Sequence, residues 1–444
     1  MSHPVSRREF LKSATAATAA SAASGLIVPH VFAQAPPAAP QGDRIVVAIM
    51  GTAGRGTSLG STFAALPNVA VKYVADVDQA HANSAAKAIG KRADANQNAP
   101  APKPINDFRT ILDDPEVTAL AIAAPDHWHA PAAILAAAAG KHVYVEKPCS
   151  HNPREGELLL AARKKFDRII QHGTQRRSYP KVIEAMAKLR QGVIGKVTMS
   201  RGWYTNNRPP IGRGKPAPVP ANLDWALWQG PAPEREYRDN YHPYNWHWFW
   251  DWGTGECGNN GIHALDLCRW GLSVDCPSKV TSAGGRYHYQ NDDWQTPDTQ
   301  FATFDFGDKV IHWEGRSCHP RGVENNSGFG VAFYGDQGSL VIDGGSAYTV
   351  YDLKNKQVDR QSSAASDTIH IANFVEAIRA NDPSKLYAPI EEGVASTLLC
   401  HLANIAQRTG HVLTLDPATK QITGDPEAAK LWSRDYRQGW EPKV

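Results

Sequence analysis

Residues 45–50, Ile-Val-Val-Ala-Ile-Met, form an unbroken apolar run that ends in Gly51-Thr52-Ala53-Gly54-Arg55-Gly56. An apolar run closed by a glycine-rich turn reads as a buried strand feeding a helix, which few folds accommodate. Comparable runs follow at 71–77, 119–124, 142–145 and 168–171, separated by Ala-rich segments of helical length. This alternation predicts a parallel, doubly wound sheet. Residues 44–175 are therefore expected to form an α/β Rossmann domain that binds a dinucleotide.

The turn itself points to the ligand. The dinucleotide fingerprint is G-x-G-x-x-G, and here Ala53 stands at the second glycine. Gly51 permits the tight turn, Ala53 and Gly54 allow close backbone approach, and Gly56 lets the helix pack on the sheet. Arg55 opens that helix, whose N-terminus suits a pyrophosphate. Asp76 lies 25 residues beyond Gly51, at the end of the second run. An acidic residue at this spacing binds ribose hydroxyls and repels a 2′-phosphate, which favours NAD over NADP.

The chain has 444 residues, 20% charged and 42% apolar, and a net charge of +3. At roughly 150 residues per domain this allows two or three domains. The basic residues are scattered, with no run that would grip nucleic acid. Residues 1–33 contain Ser6-Arg7-Arg8-Glu9-Phe10-Leu11-Lys12, an Ala-rich apolar stretch and Val31-Phe32-Ala33. They resemble a twin-arginine signal peptide, and residues 34–43 a Pro-rich leader. The expectation is a periplasmic or otherwise exported protein. It would meet the twin-arginine translocase on the way and carry no stable membrane insertion after cleavage. No C-x-x-C pair occurs among the six cysteines, so buried free thiols are expected.

Beyond a helix expected at 178–190 the pattern turns to β. Alternating or β-branched runs at 196–204, 279–289, 299–306, 310–316, 329–334, 339–343 and 348–353 arrive without long helices between them. Residues 176–444 are thus expected to form an α+β C-terminal domain with a large, mostly antiparallel sheet. Helices are expected near 367–380 and 390–409, at least one packing back on the nucleotide domain. A long aromatic insert, about 205–258, carries six of the 13 tryptophans: 225, 228, 246, 248, 250 and 252. Aromatic faces with polar handles suit sugar rings. Trp228, Tyr244, Trp246 and His247 are candidate substrate contacts on this ground, although such rings also serve to close a core.

Three motifs complete the picture. Ala124-Pro125-Asp126-His127-Trp128-His129 ends the third run and Glu146-Lys147-Pro148 the fourth. Gly253-Thr254-Gly255-Glu256-Cys257-Gly258-Asn259-Asn260-Gly261-Ile262-His263-Ala264-Leu265-Asp266 follows the insert. With the fingerprint, they make the chain, from about residue 44 onward, similar to the Gfo/Idh/MocA family of sugar and inositol oxidoreductases. The resemblance implies NAD as cofactor, Lys147 beside the nicotinamide and the substrate hydroxyl, and His263 as catalytic base. Pro125, Asp126, His129, Glu146 and Gln175 then join the cofactor contacts, and Arg176, Tyr204 and Asn260 the substrate contacts. It also implies a homo-oligomer that pairs through the open face of the large sheet. Many relatives carry Asp where this chain has Asn259, which cannot hold a proton, so Asp266 is expected to orient the imidazole instead. Asn259 and His263 are expected in the first turn of a helix, whose N-terminus lowers the imidazole pKa.

The expected activity is hydride transfer between a sugar or glycoside carbinol and a tightly held nicotinamide. Alternatives are an NAD-dependent glycoside hydrolase acting by transient oxidation and elimination, and a non-catalytic sugar-binding protein. His242, His247 and His263 match no metal spacing, and no metal is expected.

Overall fold

The computed structural model describes residues 44–97 and 100–444. The twin-arginine and leader segments lie outside the described residues. Six strands build the first sheet: β1 (Ile45–Met50), β2 (Val69–Ala75), β3 (Lys103–Ile105), β4 (Ala119–Ile122), β5 (His142–Val145) and β6 (Ile170–His172). All pair in parallel in the order β3-β2-β1-β4-β5-β6. This is the Rossmann order, with its switch point between β1 and β4. β1 and β4 are covered on both faces, which is why they read as continuous apolar runs. β3 escapes the sequence reading because it has three residues and a central Pro104.

The second sheet has ten strands: β7 (Val197–Thr205), β8 (Lys279–Gly285), β9 (Thr299–Asp305), β10 (Val310–Arg316), β11 (Phe329–Gly335), β12 (Gly338–Asp343), β13 (Ala347–Asp352), β14 (Gln357–Ser362), β15 (Leu413–Leu415) and β16 (Ile422–Thr423). Its order is β14-β13-β12-β11-β7-β10-β9-β8-β15-β16. Only β7 and β10 pair in parallel. The unforeseen strands are the sheet's ends. β14 is polar and mostly exposed, and β15 and β16 are too short to show a period.

Helices Pro180–Arg190, Ile262–Leu272 and Ile390–Thr409 cover one face of this sheet around Met186, Leu265, Phe304, Trp313 and Phe333. Gly202 of β7 lets the middle helix come close, because a Cβ there would meet the Ala264 Cβ at 2.9 Å. Helix Asp367–Ala380 packs on the first sheet instead. Phe374 is fully buried beside Ile49 and Phe63, with ring centroids 6.3 Å apart for the Phe63 pair. Burying such a ring contributes about 2–3 kcal/mol. The helix thus fastens the C-terminal half to the nucleotide domain, the packing expected of at least one of the two late helices.

Candidate functional site

The strand ends of the first sheet open into one cleft of about 440 Å³. Gly51 adopts φ +80°, and a Cβ there would meet Ala124 N at 2.4 Å, so only glycine fits the turn. Gly56 lies beneath it, where a Cβ would fall 1.8 Å from Gly51 O. Gly56 therefore seats the helix and does not line the cleft, whereas Gly51, Ala53, Gly54 and Arg55 do.

Asp76 stands at the tip of β2 and faces the same cleft. Its Oδ2 accepts from Thr52 N–H (2.6 Å) and Thr52 Oγ1 (3.1 Å), and its Oδ1 from Asp78 N–H (2.9 Å). The carboxylate is thereby aimed across the turn, with lone pairs left for a diol. Arg55 Nε donates to Glu146 Oε1 (2.6 Å), and Arg55 also pairs with Asp367. Glu146 therefore anchors Arg55. Burial raises its pKa, and the Arg55 and Lys147 charges outweigh that and bring it below the usual value.

Pro125, Asp126, His129 and Gln175 also line the cleft. Asp126 is buried and accepts from Thr254 N–H (3.1 Å) and Oγ1 (2.7 Å), which ties the Rossmann motif to the second half of the chain. His129 places Nδ1 2.5 Å from Pro148 O and Nε2 2.7 Å from Ala124 O. The ring thus braces the two strand ends against each other. Gln175 Oε1 is a buried acceptor with no protein partner.

Lys147 stands two residues past β5. Its Nζ donates to Asn259 O (2.8 Å) and Asn259 Oδ1 (3.0 Å), leaving one N–H for a ligand. Burial lowers its pKa, partly offset by Glu146 and Asp126. Asn259 supplies both acceptors and lines the cleft. Its Nδ2 and that of Asn260 point at Glu256 Oε1. Glu256 in turn pairs with Arg208, whose guanidinium lies over Trp248 and reaches Tyr244 OH (3.0 Å). Glu256 and Arg208 were missed. The only sequence signal was a charged residue inside a glycine-rich segment.

Three expectations about the catalytic helix fail. The helix starts at Gly255 and swells into a π-turn over Cys257–Gly261, so His263 lies two turns in. The helix terminus therefore does not set its pKa. Burial, followed by the nearby Arg176 and Lys147 charges, holds the imidazole well below its ordinary value and neutral. Asp266 does not orient His263. It is 1% exposed and accepts from both Arg177 Nε (2.8 Å) and Ser396 Oγ (2.7 Å). A buried guanidinium needs a counter-charge more than an imidazole needs a partner, so the carboxylate turns away. His263 Nδ1 has no protein partner.

Among the substrate candidates, Trp228, Tyr244, Trp246 and His247 line the cleft, while Arg176, Tyr204 and Asn260 do not. Arg176 lies 4.0 Å over the Phe329 ring, and Tyr204 OH accepts from Asn206 Nδ2 (2.9 Å). Five of the insert's six tryptophans serve packing, Trp228 among them, since it also stacks on Trp225 at 4.7 Å and is 4% exposed. Trp225 and Trp252 share a core with Leu223, Tyr237 and Phe249; Trp248 stacks on Trp294 at 4.0 Å; Trp250 lies under Arg408. His247 stacks on Trp246 at 3.6 Å and holds Nδ1 2.6 Å from Tyr244 O, leaving Nε2 for the cleft.

The glycine cradle, the Asp76 carboxylate and the orphan Gln175 acceptor suit a nicotinamide dinucleotide. Residues 45–174 match the family described as "Oxidoreductase family, NAD-binding Rossmann fold", and residues 210–442 its "C-terminal alpha/beta domain". Levoglucosan dehydrogenase of Pseudarthrobacter phenanthrenivorans is 28% identical over 37% of this chain and 35% of its own length. A "Glycosyl hydrolase family 109 protein" of Saccharopolyspora erythraea is 31% identical over 46% and 47%. The chain thus spans less than half the length of these curated relatives. Among solved structures, levoglucosan dehydrogenase with NADH and levoglucosan superposes with a TM-score of 0.64 at 18% identity, over 84% of this chain and 99% of that one. The aldose-aldose oxidoreductase of Caulobacter crescentus, complexed with glycerol, gives 0.63 at 18%, over 84% and 100%. At these identities the structures establish the shared fold.

Proposed function

The chain belongs to the Gfo/Idh/MocA oxidoreductase family, and from that premise we propose that it transfers hydride between a sugar or glycoside carbinol and a retained NAD. One observation carries the reading: a single cleft runs from the Asp76 carboxylate to the Lys147 ammonium, with aromatic residues of the insert along it. Asp76 holds the ribose end, and its charge disfavours NADP. Trp228, Tyr244 and Trp246 present apolar faces to a sugar ring, and the insert slows escape of the nucleotide.

When bound, NAD supplies the hydride acceptor. The free N–H of Lys147 donates to the carbinol oxygen and stabilises the negative charge that develops there. His263, one turn beyond Asn259, buried just behind the cleft lining with Nδ1 unpartnered and kept neutral by that burial, is the proposed acceptor of the hydroxyl proton. Asn259 holds the ammonium in place through two acceptors. This is a positioning role that an amide performs without a proton of its own.

The protein is read as exported by the twin-arginine route, folded around its cofactor and recycled by a second sugar. It is also read as a homo-oligomer pairing through the open face of the large sheet, where Phe301 is exposed. Among the described residues no helix is long and apolar enough to cross a membrane.

The test is to purify the full chain without added nucleotide, denature it and assay the supernatant for NAD(H) and NADP(H). Near-stoichiometric NAD is expected, reduced when the intact protein is first mixed with an aldose or glycoside. NADP would overturn the role of Asp76, and no nucleotide with no uptake would overturn the redox reading. The hydrolase likeness favours a second reading, in which oxidation triggers elimination of the aglycone. A released free sugar supports it, and a stable keto-glycoside supports simple dehydrogenation.

A further inference from the structure

At the nucleotide end of the cleft, where the insert meets the helix that follows β2 and where His81 and His242 line the wall, three donor groups converge with no hydrogen bond between their facing atoms. Asp78 Oδ2 lies 3.9 Å from His81 Nδ1 and 3.8 Å from His242 Nε2, and the three atoms are all within 4.8 Å of one another. The two rings stack with centroids 5.6 Å apart. Asp78 is 5% exposed. Its other oxygen, Oδ1, already accepts from Ala80 N–H (2.9 Å), His81 N–H (3.4 Å) and Asn222 Nδ2 (2.7 Å). The carboxylate is thus locked by helix capping and by the insert's Asn222, with Oδ2 turned to the imidazoles and taking no hydrogen bond. Direct hydrogen bonding would bring these atoms to about 2.8 Å. Tetrahedral ligands around zinc stand about 3.4 Å apart, since each bond is about 2.0–2.1 Å long. The two edges from Asp78 Oδ2 need to contract by about 0.5 Å for a metal, against about 1 Å for hydrogen bonds.

We propose that Asp78, His81 and His242 form a binding site for a divalent transition metal that clips the aromatic insert to the nucleotide domain. Two imidazoles and a carboxylate are a borderline-hard donor set suited to Zn²⁺, with a fourth position left for water. The Oδ1 contacts act as the outer shell that orients the ligating oxygen. His81 and His242 also line the cleft and His81 Nδ1 lies 3.9 Å from Asp76 Oδ2, so the site adjoins the ribose end of the proposed nucleotide site, and metal binding is therefore measured on the nucleotide-free chain.

The test is metal binding to the full chain after chelator treatment, with Zn²⁺ or Co²⁺ added alone. One Zn²⁺ per chain is expected to survive desalting, and Co²⁺ is expected to give the intense visible bands of a four-coordinate site. His81→Gln and His242→Gln should each weaken binding at least tenfold. His411→Gln, which removes a half-exposed histidine paired with Asp425 far along the chain, should leave binding unchanged. Circular dichroism establishes that the variants fold, and the wild-type Co²⁺ spectrum decides the question if they do not. No retained metal, an octahedral Co²⁺ spectrum, or loss with His411→Gln alone would overturn the proposal.

Discussion

The two sides of the cleft hold their polar groups differently. On the nucleotide side, Gly51 and Asp76 each follow a strand directly and Lys147 stands two residues past β5, so the parallel sheet fixes their positions. Asp76 needs only the adjacent Thr52 turn to be aimed. On the other side, Asn259 lines the cleft while Glu256 and His263 lie buried behind the lining, and all three ride on a helix distorted by a π-turn. Their orientation comes from distant partners: Arg208 for Glu256 and Lys147 for Asn259. A sheet edge displays residues by register alone, whereas a distorted helix displays them according to what packs against it.

Breaking the second side at its base should have the largest effect. Asp266→Ala leaves the Arg177 guanidinium buried without its main counter-charge and should cost about 3–5 kcal/mol in urea unfolding. If Asp266 oriented His263 instead, stability would hold and only the pH profile of the reaction would move. Next comes the group that joins the two sides. Lys147→Met should lower kcat/KM by about 10²–10³ while bound NAD is retained, as expected for loss of a charge-stabilising donor. Loss of NAD as well would assign Lys147 to the nucleotide side alone.

Asp76→Ala should weaken NAD by about tenfold to a hundredfold in equilibrium titration, through lost ribose acceptors and a loosened Thr52 turn. Unchanged affinity would mean that the turn is held without the carboxylate. A pH effect comes from histidines buried away from the cleft lining. His127, His172 and His401 are buried neutral, their pKa values pushed down to about 3 by burial. The unfolded chain takes up these protons below about pH 6.5 while the folded chain does not. Stability should therefore fall as pH drops from about 6.5 towards 4, by at most about 1.4 kcal/mol per pH unit per group, as read by melting temperature. Glu155 works in the opposite sense, since burial raises its carboxyl to about 7 and so it disfavours the fold as pH rises from about 4.3 to 7. Because His263 is also held low and neutral, activity should stay flat between pH 7.5 and pH 6.

What was legible follows the same division. The doubly wound sheet, the glycine turn, Asp76 and the cleft position of Lys147 could be read because strand period, turn chemistry and spacing are local properties. The large antiparallel sheet was legible in its central strands and lost at β14, β15 and β16, where short or polar segments have no period to read. Among the insert's tryptophans, composition announced an aromatic cluster but not its division. Trp246 lines the cleft and Trp228 borders it from within the insert's core, while Trp225, Trp248, Trp250 and Trp252 pack away from it.

By itself, then, the sequence determined the Rossmann half, its glycine turn and the carboxylate that faces the cleft from the end of β2, because each depends on residues within one strand and the turn after it. Only the tertiary structure decided that Asp266 serves Arg177, that a π-turn carries Asn259 to Lys147, and that Asp78 meets His81 and His242. Each of these depends on which buried charge or donor finds its partner across a long loop. That choice is made by desolvation in the folded interior, which no local pattern records.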